Sequence, residues 1–152
     1  MYALVFLFAF IFMEFAAWFL HKYVMHGFLW SLHKDHHEPH NKLFQRNDLF
    51  AFFFAVPSFI MIFLGNQPDL ALWGAAGYGI MTYGVVYFLV HEAIIHRRFR
   101  FLRGRGPYFR ALIVAHRKHH LVTTKEGAEN FGMLIVDFKY FREAFSRSSV
   151  RA

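Results

Sequence analysis

Three long apolar stretches place the strongest constraint on how this chain can fold. They are Met1–Leu20, which is interrupted only by Glu14, then Leu49–Leu64, and then Leu70–Val90, which carries no charge. About 20 apolar residues in a helix cross the hydrocarbon core of a bilayer. Lipid offers the backbone no hydrogen bonds, so such stretches must be helical. The sequence therefore predicts an all-α integral membrane bundle with three clear spans, as a single membrane-embedded domain over residues 1–152.

A secretory signal is the competing interpretation of the first stretch. Such signals begin with a basic segment. No basic residue precedes the apolar run here, and Glu14 interrupts that run. We therefore expect Met1–Leu20 to be a retained helix.

Two further patterns concern how the bundle packs. In the third stretch the small residues Ala71, Ala75 and Gly79 recur every four positions, which favours close contact between helices in lipid. A shorter apolar run, Phe109–Ala115, is a candidate for a fourth helix that is short or lies in the membrane interface.

The basic residues predict how the bundle is oriented. All 17 Lys and Arg lie in Lys22–Arg46 or Arg97–Arg151, and the connection Gly65–Asp69 has none. By the positive-inside rule both basic segments are cytoplasmic. Every histidine lies in or close to these segments, so the histidines should meet at one membrane face. Orientation accounts for most of the net charge of +7; anionic lipid headgroups and an acidic electron-donor protein are further possible partners, and nucleic acid is not indicated.

The chain contains no cysteine. Disulfides, a thiolate-bound haem and a cysteine-held iron–sulfur cluster are therefore excluded within it. Any electrons that its chemistry needs must come from another protein.

Ten of the eleven histidines fall into four spaced groups. A pair five residues apart is followed by an H-x-x-H-H triplet, and both patterns then occur again. The groups are His21 and His26; His33, His36 and His37; His91 and His96; and His116, His119 and His120. Imidazole suits iron, zinc, copper or nickel. Because a structural zinc site is closed by four ligands, ten histidines favour two metals. His40 belongs to no group and is interpreted as a surface or second-layer residue.

The pairs and the triplets differ in their geometry. Each triplet lies within an arc of about 100° on an α-helix, so its members face one direction and can offer several imidazoles to one locus. Residues five apart lie about 140° apart, so each pair converges only if the helix ends, tightens or bulges. Gly27 indicates a helix stop after His26, and Arg97 with Gly104–Pro107 marks the end of the third span's extension.

The zinc-protease pattern H-E-x-x-H needs its histidines four apart. His91 and His96 are five apart, so that function is rejected.

Several polar residues are candidates to support the site. Asp35, Glu38, Glu92 and Asp137 could orient ligand imidazoles, and Asn47 and Asp48 are predicted to cap the second span. Glu14 lies seven positions before His21, which is two turns away on the same face and too far to share its metal. An acid inside a span is by default functional. We hypothesise a proton-linked or second-layer role for Glu14, with a purely structural role as the alternative.

Residues around the histidines carry a resemblance to a known family. The matching segments are His21–Gly27 (HKYVMHG), His33–Pro39 (HKDHHEP), Asn47–Leu49, Tyr83–Gly84, Ala115–His120 (AHRKHH), Lys125–Gly127 and Phe131–Gly132. Together they resemble the bacterial-type β-carotene 3-hydroxylases of the fatty acid hydroxylase/sterol desaturase superfamily. The histidine groups specify only the superfamily, whereas the flanking residues and the short length favour the carotenoid branch. The polar segment Ala128–Asn130 and the tail after Asp137 depart from the family, whose members are often described with four spans.

The resemblance implies a non-haem di-iron mono-oxygenase domain in the bacterial cytoplasmic membrane, with its site on the cytoplasmic side. Such an enzyme uses O2 and two electrons from an external ferredoxin/NAD(P)H system. It places a hydroxyl on carbon 3 of a β-ionone ring, converting β-carotene to β-cryptoxanthin and then zeaxanthin. The resemblance also implies that the ten grouped histidines bind two iron ions, with no catalytic residue beyond the metal centre. The alternatives are a fatty-acyl or sterol hydroxylase or desaturase with the same chemistry, and a membrane metal transporter or metal-storage protein.

Overall fold

The computed structural model describes residues 1–38, 44–99 and 101–149, and every regular element in these ranges is helical. The α-helices are α1 (Tyr2–Phe19), α2 (Trp30–His37), α3 (Phe52–Leu64), α4 (Ala71–Tyr87), α5 (Pro107–His120) and α6 (Phe138–Ser149). π-Helical segments continue α1 over Leu20–Phe28 and α4 over Phe88–Ile95. Short 3-10 segments, Arg46–Ala51 and Pro68–Leu70, lead into α3 and α4. The predicted all-α fold is confirmed.

Within the described ranges, three continuous helices are long and apolar enough to cross a membrane. They run over Tyr2–Phe28, Arg46–Leu64 and Pro68–Ile95. These are the three predicted spans, but the first and third continue eight and five residues beyond their predicted ends at Leu20 and Val90. The extensions belong to the π-helical segments, which carry His21, His26 and His91 and of which the second ends directly before His96.

The short apolar run Phe109–Ala115 lies inside α5. This helix has 14 residues, or about 21 Å of length, which is shorter than the hydrocarbon core. It is amphipathic rather than apolar throughout, and its buried residues Ala111 and Ala115 pack against Tyr140 of α6. α5 is therefore not a fourth span of the kind that the apolar stretches predict.

α4 packs between α1 and α3, and glycine makes both contacts close. A Cβ at Gly79 would lie 2.5 Å from the carbonyl oxygen of Phe6 and 2.9 Å from the Cβ of Ala9, so no larger residue fits against α1. On the α3 side the hydroxyl of Ser58 donates a hydrogen bond to the carbonyl oxygen of Gly77 at 2.9 Å. The small-residue packing predicted for the third span is thus observed at Gly79, while a second glycine face contacts α3.

The outer surfaces of the spans carry large apolar side chains. Phe8 on α1 and Phe59 on α3 are each 70% exposed, and many of their neighbours are similar. A soluble monomer rarely exposes such contiguous apolar faces, whereas lipid contact accounts for them. The buried polar groups concentrate instead where the π-helical segments meet α2 and α5.

Candidate metal centre

Three of the four paired histidines lie on the π-helical segments and His96 directly follows the second one; hydrogen bonds here join residues five apart. The backbone N–H of His96 donates to the carbonyl oxygen of His91 at 2.9 Å. A π-helical turn is wider than an α-helical one, so residues five apart face the same side. His21 and His26 are brought together in the same way, with 5.3 Å between their ring centroids. Of the three expected alternatives the structure shows a bulge between the two histidines. The helical backbone is then interrupted at Gly27 (φ −103°, ψ −125°), directly after His26, where the stop was predicted.

The ten grouped histidines assemble into two adjacent clusters. In each cluster one candidate ligand atom per residue lies within 4.8 Å of all the others. The five-histidine cluster contains His21, His26, His33, His37 and His119. The four-histidine cluster contains His36, His96, His116 and His120, and His91 joins it through a group with His36 and Glu92. The convergence expected from the sequence is therefore observed.

Both triplets are divided between the clusters. On α2, His33 and His37 belong to the five-histidine cluster and His36 belongs to the other. On α5 the division is reversed, since one member of that triplet joins the first cluster and two join the second. Two members of each triplet thus share one cluster, as expected, and the third member belongs to the other cluster, because two loci lie within the arc that a triplet covers. The rings of His36 and His37, which contribute to different clusters, have centroids 6.4 Å apart.

Hydrogen bonds fix the orientation of every ring in the five-histidine cluster. Each Nδ1 lies 2.6 to 3.1 Å from an oxygen that can only accept, so each Nδ1 carries the proton. The acceptor of His33 is Oδ1 of Asn47. The other acceptors are the backbone carbonyls of Val122, Lys125, Glu129 and Phe131. All five Nε2 atoms are consequently left with a lone pair.

These lone pairs face one another at distances that suit a shared metal ion. The Nε2 of His33 lies 3.1 Å from that of His21 and 3.2 Å from that of His37, and the Nε2 atoms of His26 and His119 are 3.2 Å apart. Neither atom of such a pair has a proton to donate, so the contacts are not hydrogen bonds. Two nitrogens bound to one metal at about 2.0–2.1 Å lie about 2.8–3.4 Å apart. The residues therefore fit a bound cation.

The four-histidine cluster is oriented by side chains. Nδ1 of His36 donates to Oε1 of Gln45 at 2.7 Å, and Nδ1 of His91 donates to Oε1 of Glu92 at 2.8 Å. The Nε2 atoms of His96 and His116 lie 2.8 Å apart. Three other buried Nε2 atoms have no hydrogen-bond partner among the described residues: those of His36, His91 and His120. Since buried polar atoms are rarely left unsatisfied, these nitrogens also fit a metal.

An ion-pair network joins the two acceptors of this cluster. The guanidinium of Arg98 lies 3.0 Å from the carboxylate of Glu92 and 3.0 Å from that of Asp48. Asp48 in turn accepts the backbone N–H of Gln45 at 3.0 Å. The groups that orient His36 and His91 are thereby held relative to each other, although they lie on separate helical segments.

Burial keeps the imidazoles outside the spans neutral. Desolvation, with neighbouring imidazoles, lowers the pKa of His36 and of His119 to about 3, and desolvation lowers the pKa of His37 to about 4. Desolvation also lowers the pKa of each remaining histidine of α2 and α5: His33, His116 and His120. Neutral imidazole is the form that binds metals, so the site is ready for a cation near neutral pH.

Comparison with known proteins places this arrangement in a family. Residues 6–140, which include all ten clustered histidines, match the family described as Fatty acid hydroxylase. The chain belongs to the fatty acid hydroxylase family. No solved structure matches it.

Within that family the similar proteins are β-carotene hydroxylases. The Beta-carotene hydroxylase of Pantoea ananas is 44% identical over 125 residues, which cover 80% of this chain and 70% of that protein. That of Paracoccus sp. (strain PC1) is 40% identical over 80% of this chain and 76% of its own length. The chloroplastic Beta-carotene 3-hydroxylase 2 of Arabidopsis thaliana is 37% identical over 71% of this chain and 37% of its own length.

The four acidic residues that were predicted to orient ligand imidazoles have different hydrogen-bond and ion-pair partners in the structure. Glu92 accepts a hydrogen bond from a clustered histidine. Asp35 and Asp137 accept backbone N–H groups, and Glu38 pairs with Lys34 at 3.3 Å. Among the described residues, none of these last three acids is hydrogen-bonded to an imidazole. No direct contact among the described residues therefore supports the prediction that these three acids orient ligand imidazoles.

The second span begins with residues that do more than cap it. Asp48 caps the helical start as predicted, since it accepts the N–H of Gln45. Asn47 does not cap, because its side chain accepts the proton of His33 instead. Sequence analysis missed the supporting roles of Gln45 and of the carbonyls after α5. The only signals were the family-like segments Asn47–Leu49, Lys125–Gly127 and Phe131–Gly132. His40 lies outside the described residues.

Proposed function

We propose that this chain is a carotenoid ring hydroxylase: a membrane-embedded, non-haem di-iron mono-oxygenase that adds a hydroxyl at carbon 3 of β-ionone rings. The observation that carries the proposal is the pair of adjacent imidazole clusters, in each of which one ring nitrogen per histidine lies within 4.8 Å of the others. Relatives named β-carotene hydroxylases, at 38–44% identity in bacteria, support the carotenoid as substrate. The products would be β-cryptoxanthin and then zeaxanthin.

The ligand assignment follows the two clusters. One metal would be held by His21, His26, His33, His37 and His119, and the other by His36, His96, His116 and His120 together with His91. Bound iron would supply the reductive activation of O2 that hydroxylation of an unactivated carbon requires, whereas zinc has no redox chemistry. In the balanced reaction one oxygen atom enters the ring and the other leaves as water, with the uptake of two electrons and two protons.

The protein's own residues prepare this site in three ways. In seven of the ten histidines an oxygen acceptor fixes Nδ1 as the ring nitrogen that carries the proton, so Nε2 is free to bind. Burial keeps the imidazoles of α2 and α5 neutral by lowering their pKa. The apolar spans hold a rigid polyene whose length is roughly that of the hydrocarbon core, so only its terminal ring needs to reach the clusters at the end of the bundle.

The charge distribution supports a location and an electron donor. The basic residues flank the cluster-bearing ends of the spans, while Gly65–Asp69 at the opposite end has no Lys or Arg. By the positive-inside rule the clusters would face the cytoplasm, in the bacterial cytoplasmic membrane. Because the chain has no cysteine, the electrons would come from an external ferredoxin-like protein. A net charge of +7 would favour the approach of an acidic donor.

The test is pigment analysis in bacteria engineered to accumulate β-carotene. Cells would express the unchanged chain, the His36→Ala variant, or the His40→Ala variant as a control that removes the histidine outside the four sequence groups. We expect zeaxanthin from the unchanged chain and from His40→Ala, and β-carotene alone from His36→Ala. Unchanged β-carotene despite iron-loaded wild-type protein in the membrane would contradict the substrate assignment.

The second candidate is a hydroxylase or desaturase of fatty-acyl or sterol substrates. The description of the matching family, Fatty acid hydroxylase, favours it. The same cells distinguish the two functions, since lipid extraction would then reveal a hydroxylated or desaturated lipid in place of zeaxanthin. A metal transporter is disfavoured because the imidazoles gather at one end of the bundle instead of lining a path through it.

A further inference from the structure

Glu14 is a buried acid in an otherwise apolar helix. It is the only charged residue in 1–20, and it is 9% exposed. An acid inside a membrane span is costly unless other groups satisfy it. Glu14 belongs to neither histidine cluster, so its partners must explain its position.

Those partners come from the segment between α5 and α6. The carboxyl oxygens of Glu14 accept hydrogen bonds from three consecutive backbone N–H groups at 2.9 to 3.1 Å: those of Met133, Leu134 and Ile135. The hydroxyl of Tyr83 on α4 donates a further bond at 2.7 Å. Consecutive N–H groups that converge on an oxygen form a concave anion-binding turn. Glu14 thus joins α1, α4 and this segment.

The same segment orients the five-histidine cluster. Four of its backbone carbonyls, between residues 122 and 131, accept the Nδ1 protons of clustered histidines. Phe131, which accepts from His21 at 3.1 Å, lies two residues before Met133. The helix that carries Glu14 therefore contacts the segment twice, once through Glu14 and once through His21.

The space between these two contacts is tight. A Cβ at Gly132 would lie 2.9 Å from the carbonyl oxygen of Ile135 and 3.4 Å from Oε1 of Glu14. Nearby, Asn130 adopts a left-handed conformation (φ 60°) between Glu129 and Phe131, whose carbonyls both serve the cluster. Asparagine tolerates this conformation better than most residues, which gives a physical reason for a polar residue at position 130.

We propose that Glu14 is a positioning residue that holds residues 131–135 against the first span and thereby fixes the carbonyls that orient the five-histidine cluster. The inference rests on the proposed metal binding. It concerns one cluster only, because the acceptors in the four-histidine cluster, Gln45 and Glu92, lie on other segments. Of the roles considered for Glu14, the contacts favour support of the ligands over proton transfer.

The test combines hydrogen exchange with metal analysis on purified full-length protein. In Glu14→Ala, amide exchange of residues 133–135 in the metal-free protein should accelerate at least about tenfold, because their acceptor is gone. Exchange at residues 47–51 should be unchanged. After iron loading, the variant should hold about one iron per chain where the wild type holds two. With Co²⁺ as the probe, the visible absorption of one site should be lost and that of the other kept.

Matched variants separate positioning from general damage. Glu14→Gln keeps an oxygen that can accept the three N–H groups, so it should retain slow exchange and both irons. Gly132→Ala keeps Glu14 but disturbs the same turn, so it should lose iron from the same site as Glu14→Ala. If Glu14→Ala does not accumulate, the exchange rates and iron contents of Glu14→Gln and Gly132→Ala are compared instead to test the positioning role.

Each outcome is informative. Two tightly bound irons and slow exchange of residues 133–135 in Glu14→Ala would overturn the positioning role, as would equal loss from both sites. If the wild type bound no metal, the metal assignment would fail. The exchange comparison in metal-free protein would still show whether Glu14 holds the segment.

Discussion

The two histidine clusters use the same ligand type but are supported in different ways. In the five-histidine cluster four of the five rings donate to backbone carbonyls of one segment, between α5 and α6. In the four-histidine cluster the acceptors are side chains, Gln45 and Glu92, joined through Arg98 and Asp48. The first cluster therefore depends on the path of the backbone, and the second depends on the identity of a few residues. Substitutions of the supporting side chains should therefore weaken metal binding more in the four-histidine cluster than in the five-histidine cluster.

The largest effect should come from removing one ligand of either cluster. His37→Ala and His120→Ala should each lose one of two irons and lower hydroxylation by at least about 100-fold, because both metals are needed and each variant leaves a gap in one site. The measurements are iron per chain and zeaxanthin formed by cells that express equal amounts of protein. Unimpaired hydroxylation in either variant would show that the cluster it belongs to is not part of the catalytic site.

Acidification should destabilise the folded protein through histidines of both clusters. The pKa values of His36, His37 and His119 are lowered by burial to about 3, 4 and 3, so the unfolded chain binds more protons than the folded one as pH falls below about 6.5. Above that pH these histidines are neutral in both states, and the free energy of unfolding does not depend on them. As pH falls towards 4, the free energy of unfolding decreases by about 1.4 kcal/mol per pH unit for each histidine.

This expectation can be checked by thermal unfolding of metal-free protein in detergent between pH 7.5 and pH 4. The melting temperature should fall steadily below pH 6.5, and bound metal should be released over the same range. A flat profile down to pH 4 would contradict the burial of neutral imidazoles in both clusters.

Changes at Glu92 should weaken only the four-histidine cluster. Glu92→Gln keeps an oxygen for the Nδ1 proton of His91 but loses the ion pair with Arg98. Outer-layer changes of this kind typically cost 10- to 100-fold in metal affinity or activity. Chelator competition should therefore show one weakened metal and one unchanged metal. Arg98→Gln should have a similar effect, and little additional effect in combination with Glu92→Gln, because both residues belong to one network.

The smallest effect is expected at Asn47, the one side chain that orients a ring of the five-histidine cluster. In Asn47→Ala only the proton of His33 loses its acceptor, while the four carbonyls remain. We expect about a tenfold loss of affinity for one metal, and recovery in Asn47→Asp, which restores an accepting oxygen. A loss as large as that of His37→Ala would mean that side chains, not carbonyls, dominate the support of this cluster as well.

Local patterns were enough to predict the helical architecture and the set of histidines that meet in the structure. Apolar run length predicted three helical spans, and the placement of Lys and Arg together with the histidines predicted that the histidines meet at one end. The position of Asp48 directly before the second apolar stretch predicted that it caps this span. These features follow from the period and length of a helix, which neighbouring residues specify among themselves.

Only the tertiary structure decided how the ten histidines divide and what orients them. Periodicity puts His33, His36 and His37 on one face, but it cannot divide that face between two loci that are completed by residues more than 50 positions away. The choice of a π-helical turn for His21 and His26 over a helix end was also open in the sequence. Backbone carbonyls carry no side-chain signature, so the acceptors after α5 became visible only in the tertiary structure. The contacts of His21 with Phe131 and of Glu14 with Met133 join residues 110 and 119 positions apart.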